Sequence, residues 1–307
     1  MGLDMATIFI DGEAGTTGLQ IREKLDGLSG IVLASLAPEA RKDPAAKRKV
    51  YEQADVVILC LPDEAAKEAA KVIDAMGDKA PRVIDASSAH RVAPGWTYGF
   101  PELIAGQDEA VARARKVTNP GCHATGAIAL LRPLTDAGLL PKDAPVSITS
   151  VSGYSGGGKS MIEAYETGKA PAFELYGLAL EHKHMPEIQL YSGLTARPVF
   201  VPSVGNFRQG MLVSAPLHLD ALPGRPALAD LKAVFDGHYR GRKYFRVFAT
   251  TENARLEPEA LNGTNGIEIH VFGAEARRQA VLVARFDNLG KGASGAAVQN
   301  LMLMLGR

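Results

Sequence analysis

The first third of the chain alternates short apolar runs with helical stretches, and that rhythm admits few folds. Thr7-Ile8-Phe9-Ile10 is a β-branched and aromatic run, followed by the small-residue segment Asp11 to Gly18 and a helix expected over Leu19 to Leu28. Ile31 to Ser35, Asp55 to Leu61 and Arg82 to Asp85 are further strand candidates, and an alanine-rich helix is expected over Glu64 to Met76. Strands that alternate with helices build a parallel, doubly wound sheet, because a crossover helix must return the chain to the starting end. Ligands then bind beyond the carboxyl ends of the strands. Pro62-Asp63, Ser87-Ser88 and Cys122 all follow strands, and are expected to face one crevice.

The segment Asp11-Gly12-Glu13-Ala14-Gly15-Thr16-Thr17-Gly18 spaces its glycines as G-x-x-G-x-x-G. Small residues there let backbone N–H groups reach a pyrophosphate at a helix N-terminus, so Gly12, Gly15, Thr16, Thr17 and Gly18 are dinucleotide-binding candidates. A glycine turn that merely joins strand to helix is the alternative. An NAD enzyme usually places an acid at the end of the second strand, to bond the ribose 2′-hydroxyl. Here that strand ends in Ser35, and Arg41-Lys42 follow. A hydroxyl beside cations suits a 2′-phosphate, so NADP is expected, although Arg41 and Lys42 also fit a solvated basic loop.

Asn119-Pro120-Gly121-Cys122-His123-Ala124-Thr125-Gly126 holds the reactive candidate. The apolar lead-in 116–118 is expected to be a strand end, Pro120-Gly121 a turn, and Thr125 to Leu134 a helix. Cys122 then sits near a helix N-terminus, where unpaired N–H groups and the helix dipole favour a thiolate. The only other cysteine, Cys60, lies in the apolar run Val56 to Leu61 and is expected to be strand core. Two cysteines in 307 residues do not make a disulfide framework, so a reducing cytoplasm is expected. Acidic and basic residues balance at 34 each, without a basic run, which argues against a nucleic-acid partner. No apolar run approaches a membrane span, and Met1 to Asp11 is too short and too acidic for a signal peptide.

After Cys122 the pattern changes. Strand-like runs at Val146 to Val151, Met211 to Leu217, Ile267 to Phe272 and Ala280 to Phe286 lie between glycine-rich loops, with one clear helix near Leu228 to Tyr239. This indicates a separate α+β domain with an antiparallel or mixed sheet. The apolar helical segment Ser294 to Leu305 is expected to pack back on the first domain.

Two clusters here carry chemistry. Gly153-Tyr154-Ser155-Gly156-Gly157-Gly158-Lys159-Ser160 satisfies G-x-x-x-x-G-K-[ST], the signature of a P-loop nucleotidase. That reading needs a strand-end Asp for magnesium, and the nearest, Asp85, lies in the other array of strands. The loop can instead cradle a substrate phosphate through its backbone and Lys159. Glu181-His182-Lys183-His184-Met185-Pro186-Glu187-Ile188 offers two histidines, open to metal ligation, solvation or proton transfer. No third ligand stands at a recognisable spacing, so no metal is expected and proton transfer is preferred.

In this order, these pieces resemble the N-acetyl-gamma-glutamyl-phosphate reductase family, NADPH-dependent enzymes of arginine biosynthesis. The resemblance rests on Asp11 to Gly18, Tyr98-Gly99-Phe100-Pro101-Glu102-Leu103, Asn119 to Cys122, Ser152 to Gly156, His182 to Ile188 and Asp287-Asn288-Leu289-Gly290-Lys291-Gly292-Ala293-Ser294-Gly295. They span nearly the whole chain, whose length is similar to the shorter of the family's two forms. The commoner form carries Arg where Lys159 stands, and a Leu-Ser-Ala-Asp-Phe-Arg-like run where this chain has Ala86-Ser87-Ser88-Ala89-His90-Arg91.

The resemblance implies a Rossmann-like NADP-binding domain over 1–121, joined by a C-terminal helix at 289–307, and an α+β catalytic and dimerisation domain over 122–288. It implies Cys122 as the nucleophile and His184 or His182 as the proton-transfer group. Gly292 joins the cofactor residues, while Arg91, Asn119, Gly153, Tyr154, Ser155 and Lys159 are assigned to the acyl-phosphate substrate. A homo-oligomer, dimer or tetramer, is implied too. The rival readings are a sister acyl-phosphate reductase acting on aspartyl or carrier-linked phosphate, a P-loop nucleotidase, and a non-catalytic NADP-binding regulator.

Overall fold

A computed structural model of the chain describes residues 5–249 and 255–307. Residues 1–4, which begin the expected first domain and the segment weighed as a signal peptide, lie outside the described residues. The chain divides into two compact units, one of residues 1–101, 105–120 and 293–307, the other of residues 102–104 and 121–292.

The first unit runs β1 (Ala6–Asp11), α1 (Thr16–Leu25), β2 (Ile31–Ala34), α2 (Pro44–Gln53), β3 (Val56–Leu59), α3 (Asp63–Asp74), β4 (Arg82–Asp85), β5 (Thr97–Tyr98), α4 (Gln107–Arg113) and β6 (Lys116–Thr118). The strands form one sheet in the order β2-β1-β3-β4-β6-β5, parallel throughout. This is the doubly wound sheet that the alternation dictates. The inner strand β3 is buried on both faces, has no exposed residue and looks continuously apolar in sequence. Helix α1 starts three residues before the expected Leu19, because residues with little apolar periodicity (Thr16-Thr17-Gly18) form its first turn.

The second unit contains α5 (Cys122–Asp136), β7 (Ser147–Gly153), α6 (Gly158–Glu166), β8 (Phe173–Leu175), α7 (Met185–Tyr191), β9 (Val199–Gly205), β10 (Met211–His218), α8 (Leu228–His238), β11 (Phe245–Ala249), β12 (Ile267–Ala274) and β13 (Gln279–Phe286). Its sheet order is β11-β12-β13-β10-β7-β9-β8. Pairs β11/β12 and β7/β9 are parallel and the others antiparallel, a mixed sheet. Sequence periodicity missed β8, β9, β11 and α7, whereas α6 is the helical stretch expected after the Gly153 to Ser160 loop. Strand β8 is exposed along its length and α7 is short, so neither carries a clear repeat.

A single π-helical turn, Gly290–Ser294, leads into α9 (Gly295–Met304). Ala297, Leu301, Met304 and Leu305 join Ile8, Ile21, Ile58 and Val117 in the first unit's core, so the last helix does return to the parallel sheet. Leu301 is wholly buried, and burial of a leucine contributes about 1.5–3 kcal/mol. Arg82 pins the same helix by donating to the carbonyl of Met304 and to those of Ala112 and Ala114.

Candidate functional site

The glycine loop leaves β1 at Asp11 and enters α1 at Thr16. Gly12 has φ +93°, and a Cβ there would stand 2.3 Å from the Cys60 carbonyl oxygen, so only glycine fits. No side chain caps α1, whose N-cap is Gly15. The N–H groups of its first turn, at Thr16, Thr17 and Gly18, are thus left for an anion. Beside the loop lies a cavity of about 260 Å³, lined by Gly12, Glu13, Leu36, Arg41, Lys42 and Leu61 among others. Apolar walls next to amides and cations fit an adenosine with phosphate groups.

An acid does reach the end of β2, but from the glycine loop. The buried Glu13 carboxylate accepts from Arg22 Nη1 at 2.8 Å, Arg41 Nη2 at 2.7 Å and Ser35 Oγ at 3.1 Å. Ser35 and Arg41 are thus brought together as expected, while Glu13 and Arg22 were not singled out by sequence. Asp11 accepts from Tyr51 and from Lys47 Nζ at 2.9 Å, adding a further cation to the cavity wall. Burial, then the Asp11 charge, pushes the Tyr51 hydroxyl well up, so it stays a donor. Cys60 lies just past the end of β3, partly buried against the first unit's core rather than inside the strand, and burial, then Asp85 and Asp11, raise its thiol to about 12.

Arg91 and Asn119 sit in the same unit. Arg91 Nε donates to the Asn119 carbonyl at 3.1 Å. The Asn119 amide donates to the Ala293 carbonyl at 3.0 Å and accepts from Asn300 at 3.2 Å. Its visible work is therefore to hold the entry to α9. His90, standing where the commoner family form has Phe, stacks on Trp96 at 4.2 Å and places Nδ1 2.6 Å from the buried Asp85 carboxylate. Ser87 Oγ donates to that carboxylate at 2.8 Å, and Ser88 Oγ to Asp63 at 2.8 Å.

In the second unit Cys122 is the first residue of α5, half-buried, with Gly121 as N-cap and no side-chain cap on the first turn. The helix begins three residues before the expected Thr125. The Gly121 N–H donates to the buried Glu187 carboxylate at 3.1 Å. It is therefore spent, and the first turn of α5, which no side chain caps, is where backbone N–H groups can face an oxyanion. Gly292 lies against Cys122: a Cβ there would stand 3.0 Å from Cys122 Cβ.

His182 and His184 gather beside Cys122's neighbour. Their rings lie 5.4 and 5.5 Å from the His123 ring and 4.7 Å from each other. The His184 backbone N–H donates to His182 Nδ1 at 3.1 Å, so neutral His182 carries its proton on Nε2. His184 is buried at the N-cap of α7, and Glu187 sits in that helix's first turn. His123 places Nε2 2.7 Å from Tyr176 Oη and Nδ1 2.7 Å from Ser150 Oγ. His123, Tyr176, Ser150 and Glu187 are residues that sequence reasoning passed over. Glu187 and His123 stood inside quoted motifs, and the signal for His123 was its adjacency to Cys122.

The Gly153 to Ser160 loop connects β7 to α6 through a 3-10 turn, Tyr154–Gly157. Gly153 N–H donates to the Gly210 carbonyl, Tyr154 stacks on Tyr165 at 4.8 Å, and the buried Ser155 hydroxyl accepts from Asn288 at 3.1 Å. Lys159 is exposed. A nucleotidase P-loop belongs to a parallel βαβ unit, whereas β8, the strand after α6, pairs only with β9 and runs antiparallel to it. The topology removes the nucleotidase reading.

Comparison with known proteins agrees with this chemistry. The family described as "Semialdehyde dehydrogenase, dimerisation domain" matches residues 122–288, and "Semialdehyde dehydrogenase, NAD binding domain" matches residues 16–111, which indicates a nicotinamide cofactor. N-acetyl-gamma-glutamyl-phosphate reductase 2 of Pseudomonas putida is 52% identical, covering 97% of this chain and 96% of its own. The Burkholderia lata N-acetyl-gamma-glutamyl-phosphate reductase is 51% identical over 99% and 98% of the two chains. Among solved structures, aspartate semialdehyde dehydrogenase II of Vibrio cholerae superposes with a TM-score of 0.73 at 15% identity, covering 98% and 99%. The Candida albicans aspartate semialdehyde dehydrogenase with NADP does so at 0.68 and 13%, covering 98% and 99%. Those two share the fold, and the half-identical relatives carry the assignment: the chain belongs to the N-acetyl-gamma-glutamyl-phosphate reductase family of semialdehyde dehydrogenases.

Proposed function

We propose that this chain reduces N-acetyl-γ-glutamyl phosphate to N-acetylglutamate 5-semialdehyde with NADPH, the arginine-biosynthesis step that its relatives' name denotes. The observation that carries the chemistry is Cys122 as the first residue of an uncapped helix, beside two histidines. An ordinary thiol has a pKa of about 8.5, so few per cent is thiolate at neutral pH. The helix N-terminus raises that fraction.

Cys122 Sγ attacks the acyl carbon, and backbone N–H groups in the first turn of α5 steady the oxyanion. The C–O bond to phosphate breaks, leaving a thioester on Cys122. The nicotinamide, when bound, supplies the hydride that this thioester accepts. The resulting thiohemiacetal oxygen is held by Nε2–H of His182 and exchanges its proton with His184. Collapse breaks the C–S bond, releasing the aldehyde and restoring the thiolate. Gly153, Tyr154, Ser155 and Lys159 form the proposed phosphate cradle in the second unit, and Arg91 is proposed as an anion-binding residue of the first.

Support for NADP over NAD is the cluster Arg22, Ser35, Arg41 and Lys42 around Glu13, which carries a net positive charge next to the ribose site. Gly12 to Gly18 hold the pyrophosphate, and the contact of Gly292 with Cys122 suits a narrow place for the nicotinamide end. A dimer is inferred from the outward face of the seven-stranded sheet, where exposed Phe173, Leu175 and Val281 border a groove of about 690 Å³. Both cysteines are free thiols, which suits a reducing cytoplasm. Among the described residues no helix is long and apolar enough to cross a membrane.

The deciding experiment is phosphate-dependent NADP⁺ reduction by N-acetylglutamate semialdehyde, run against aspartate semialdehyde. Preference for the N-acetylated aldehyde is expected. Equal or greater kcat/KM with aspartate semialdehyde would move the chain to the sister activity.

A further inference from the structure

Glu13 belongs to the glycine loop of the first unit, yet its carboxylate reaches the end of β2, where a doubly wound sheet binds the adenosine ribose. Both its oxygens are engaged. Oε2 accepts from Arg22 Nη1 at 2.8 Å and from Ser35 Oγ at 3.1 Å, and Oε1 accepts from Arg41 Nη2 at 2.7 Å. Arg22 Nη1 also donates to Ser35 Oγ at 2.7 Å, and Arg41 Nε to the Leu36 carbonyl at 3.3 Å. Helix α1, the end of β2 and the turn after it therefore converge on one carboxylate. The Glu13 side chain is 10% exposed, whereas those of Arg22 and Arg41 are 41% and 40% exposed, so each arginine keeps a side that an incoming anion can reach. The Glu13 backbone is locked: a Cβ on Gly18 would stand 2.8 Å from its Cα, and Gly12 before it admits only glycine. The carboxylate thus stays within a side-chain length of both arginines.

Two guanidinium groups and a hydroxyl around one anion are the donor set that takes a phosphate monoester. We infer that Glu13 is a specificity-determining residue, a built-in counter-anion that occupies the cations of the 2′-phosphate site when the cofactor carries a hydroxyl there, and so blunts selection of NADP over NAD. Selection is a difference between two affinities. A site with bare cations rejects a ribose that brings no charge, because those cations lose water and gain no partner. Glu13 removes that penalty, so a ribose with a 2′-hydroxyl loses little. A 2′-phosphate must share Arg22 and Arg41 with a carboxylate of like charge, so it gains less than two unshared arginines would give. The remaining charge still favours the phosphate. Asp11 is taken up by Lys47 at 2.9 Å, and among the described residues Lys42 on the cavity wall has no ion pair.

This rests on the NADP reading of the site, and one experiment separates the two claims. Calorimetry on the intact chain compares adenosine 2′,5′-bisphosphate with 5′-AMP, which differ only in the 2′-phosphate and need no turnover. In Glu13→Gln, which keeps the size and removes the charge, the bisphosphate is expected to bind about tenfold tighter while 5′-AMP binds no tighter. Adding Arg41→Ala should shrink that gain, because the competition runs through the guanidinium that Glu13 holds. Glu13→Ala repeats the comparison without the amide, and retained 5′-AMP binding shows in each variant that the site is folded. A ratio of the two affinities that stays level or falls in Glu13→Gln overturns the inference. So does a gain that survives Arg41→Ala undiminished, which would be a general effect of charge. If neither the unaltered protein nor Glu13→Gln prefers the bisphosphate, the NADP reading itself falls.

Discussion

The backbone N–H of Gly121 donates to the carboxylate of Glu187 across 3.1 Å, one residue before Cys122. This contact fixes the start of α5 and aligns the next two N–H groups. It also brings a carboxylate to a helix end that must favour a thiolate. Removing it in Glu187→Ala leaves a buried donor without its acceptor, which costs about 1–3 kcal/mol. Urea unfolding should show that loss, and Glu187→Gln, which keeps a carbonyl acceptor, should lose less.

Cys122→Ala is expected to abolish aldehyde formation while leaving the NADPH dissociation constant within about twofold, since the glycine loop belongs to the other compact unit. Cys122→Ser should retain turnover at least about a thousandfold lower, the hydroxyl being the weaker nucleophile. Fluorescence titration with NADPH beside the coupled assay checks both.

Arg22 and Arg41 grip opposite oxygens of Glu13, and a 2′-phosphate would compete for them. Arg41→Ala should raise the NADPH dissociation constant roughly tenfold, the worth of one charged hydrogen bond at about 1.5 kcal/mol. NADH binding should change little. Equal weakening of both cofactors would remove these cations from 2′-phosphate recognition.

His123 also gives the fold a defined acid sensitivity. Its folded pKa of about 3 lies below the ordinary value of 6.5, so the unfolded chain takes up the proton first. Stability is complete above pH 6.5 and is lost as pH falls from there toward 3. Between pH 7 and pH 5 the loss from this one group is about 2 kcal/mol. Burial lowers His238 and His270 as well, which adds to the fall. Denaturant midpoints at the two pH values measure it, and His123→Gln should flatten the profile. A steeper fall in that variant would show that the ring is not held neutral.

Local sequence sufficed where chemistry is written into consecutive residues. The alternation of β1 to β4 with their helices, the glycine loop and the position of Cys122 at a helix start all follow from short-range patterns: small residues for tight turns, β-branched runs for buried parallel strands. The motif of His182 to Ile188 marked a chemical segment without saying that its rings close on His123. Neither Glu13 meeting Arg22, Ser35 and Arg41, nor Ser150 and Tyr176 meeting His123, could be seen along the chain. These partners lie 9 to 53 residues apart. Burial is what makes them matter, because a polar group removed from water must find its partner wherever the folded chain brings one. The sequence by itself determined the parallel sheet, the glycine turn after β1 and the place of Cys122 at a helix start. Only the tertiary structure decided which groups gather around Glu13 and around His123, through the desolvation and close contact that follow as each unit packs.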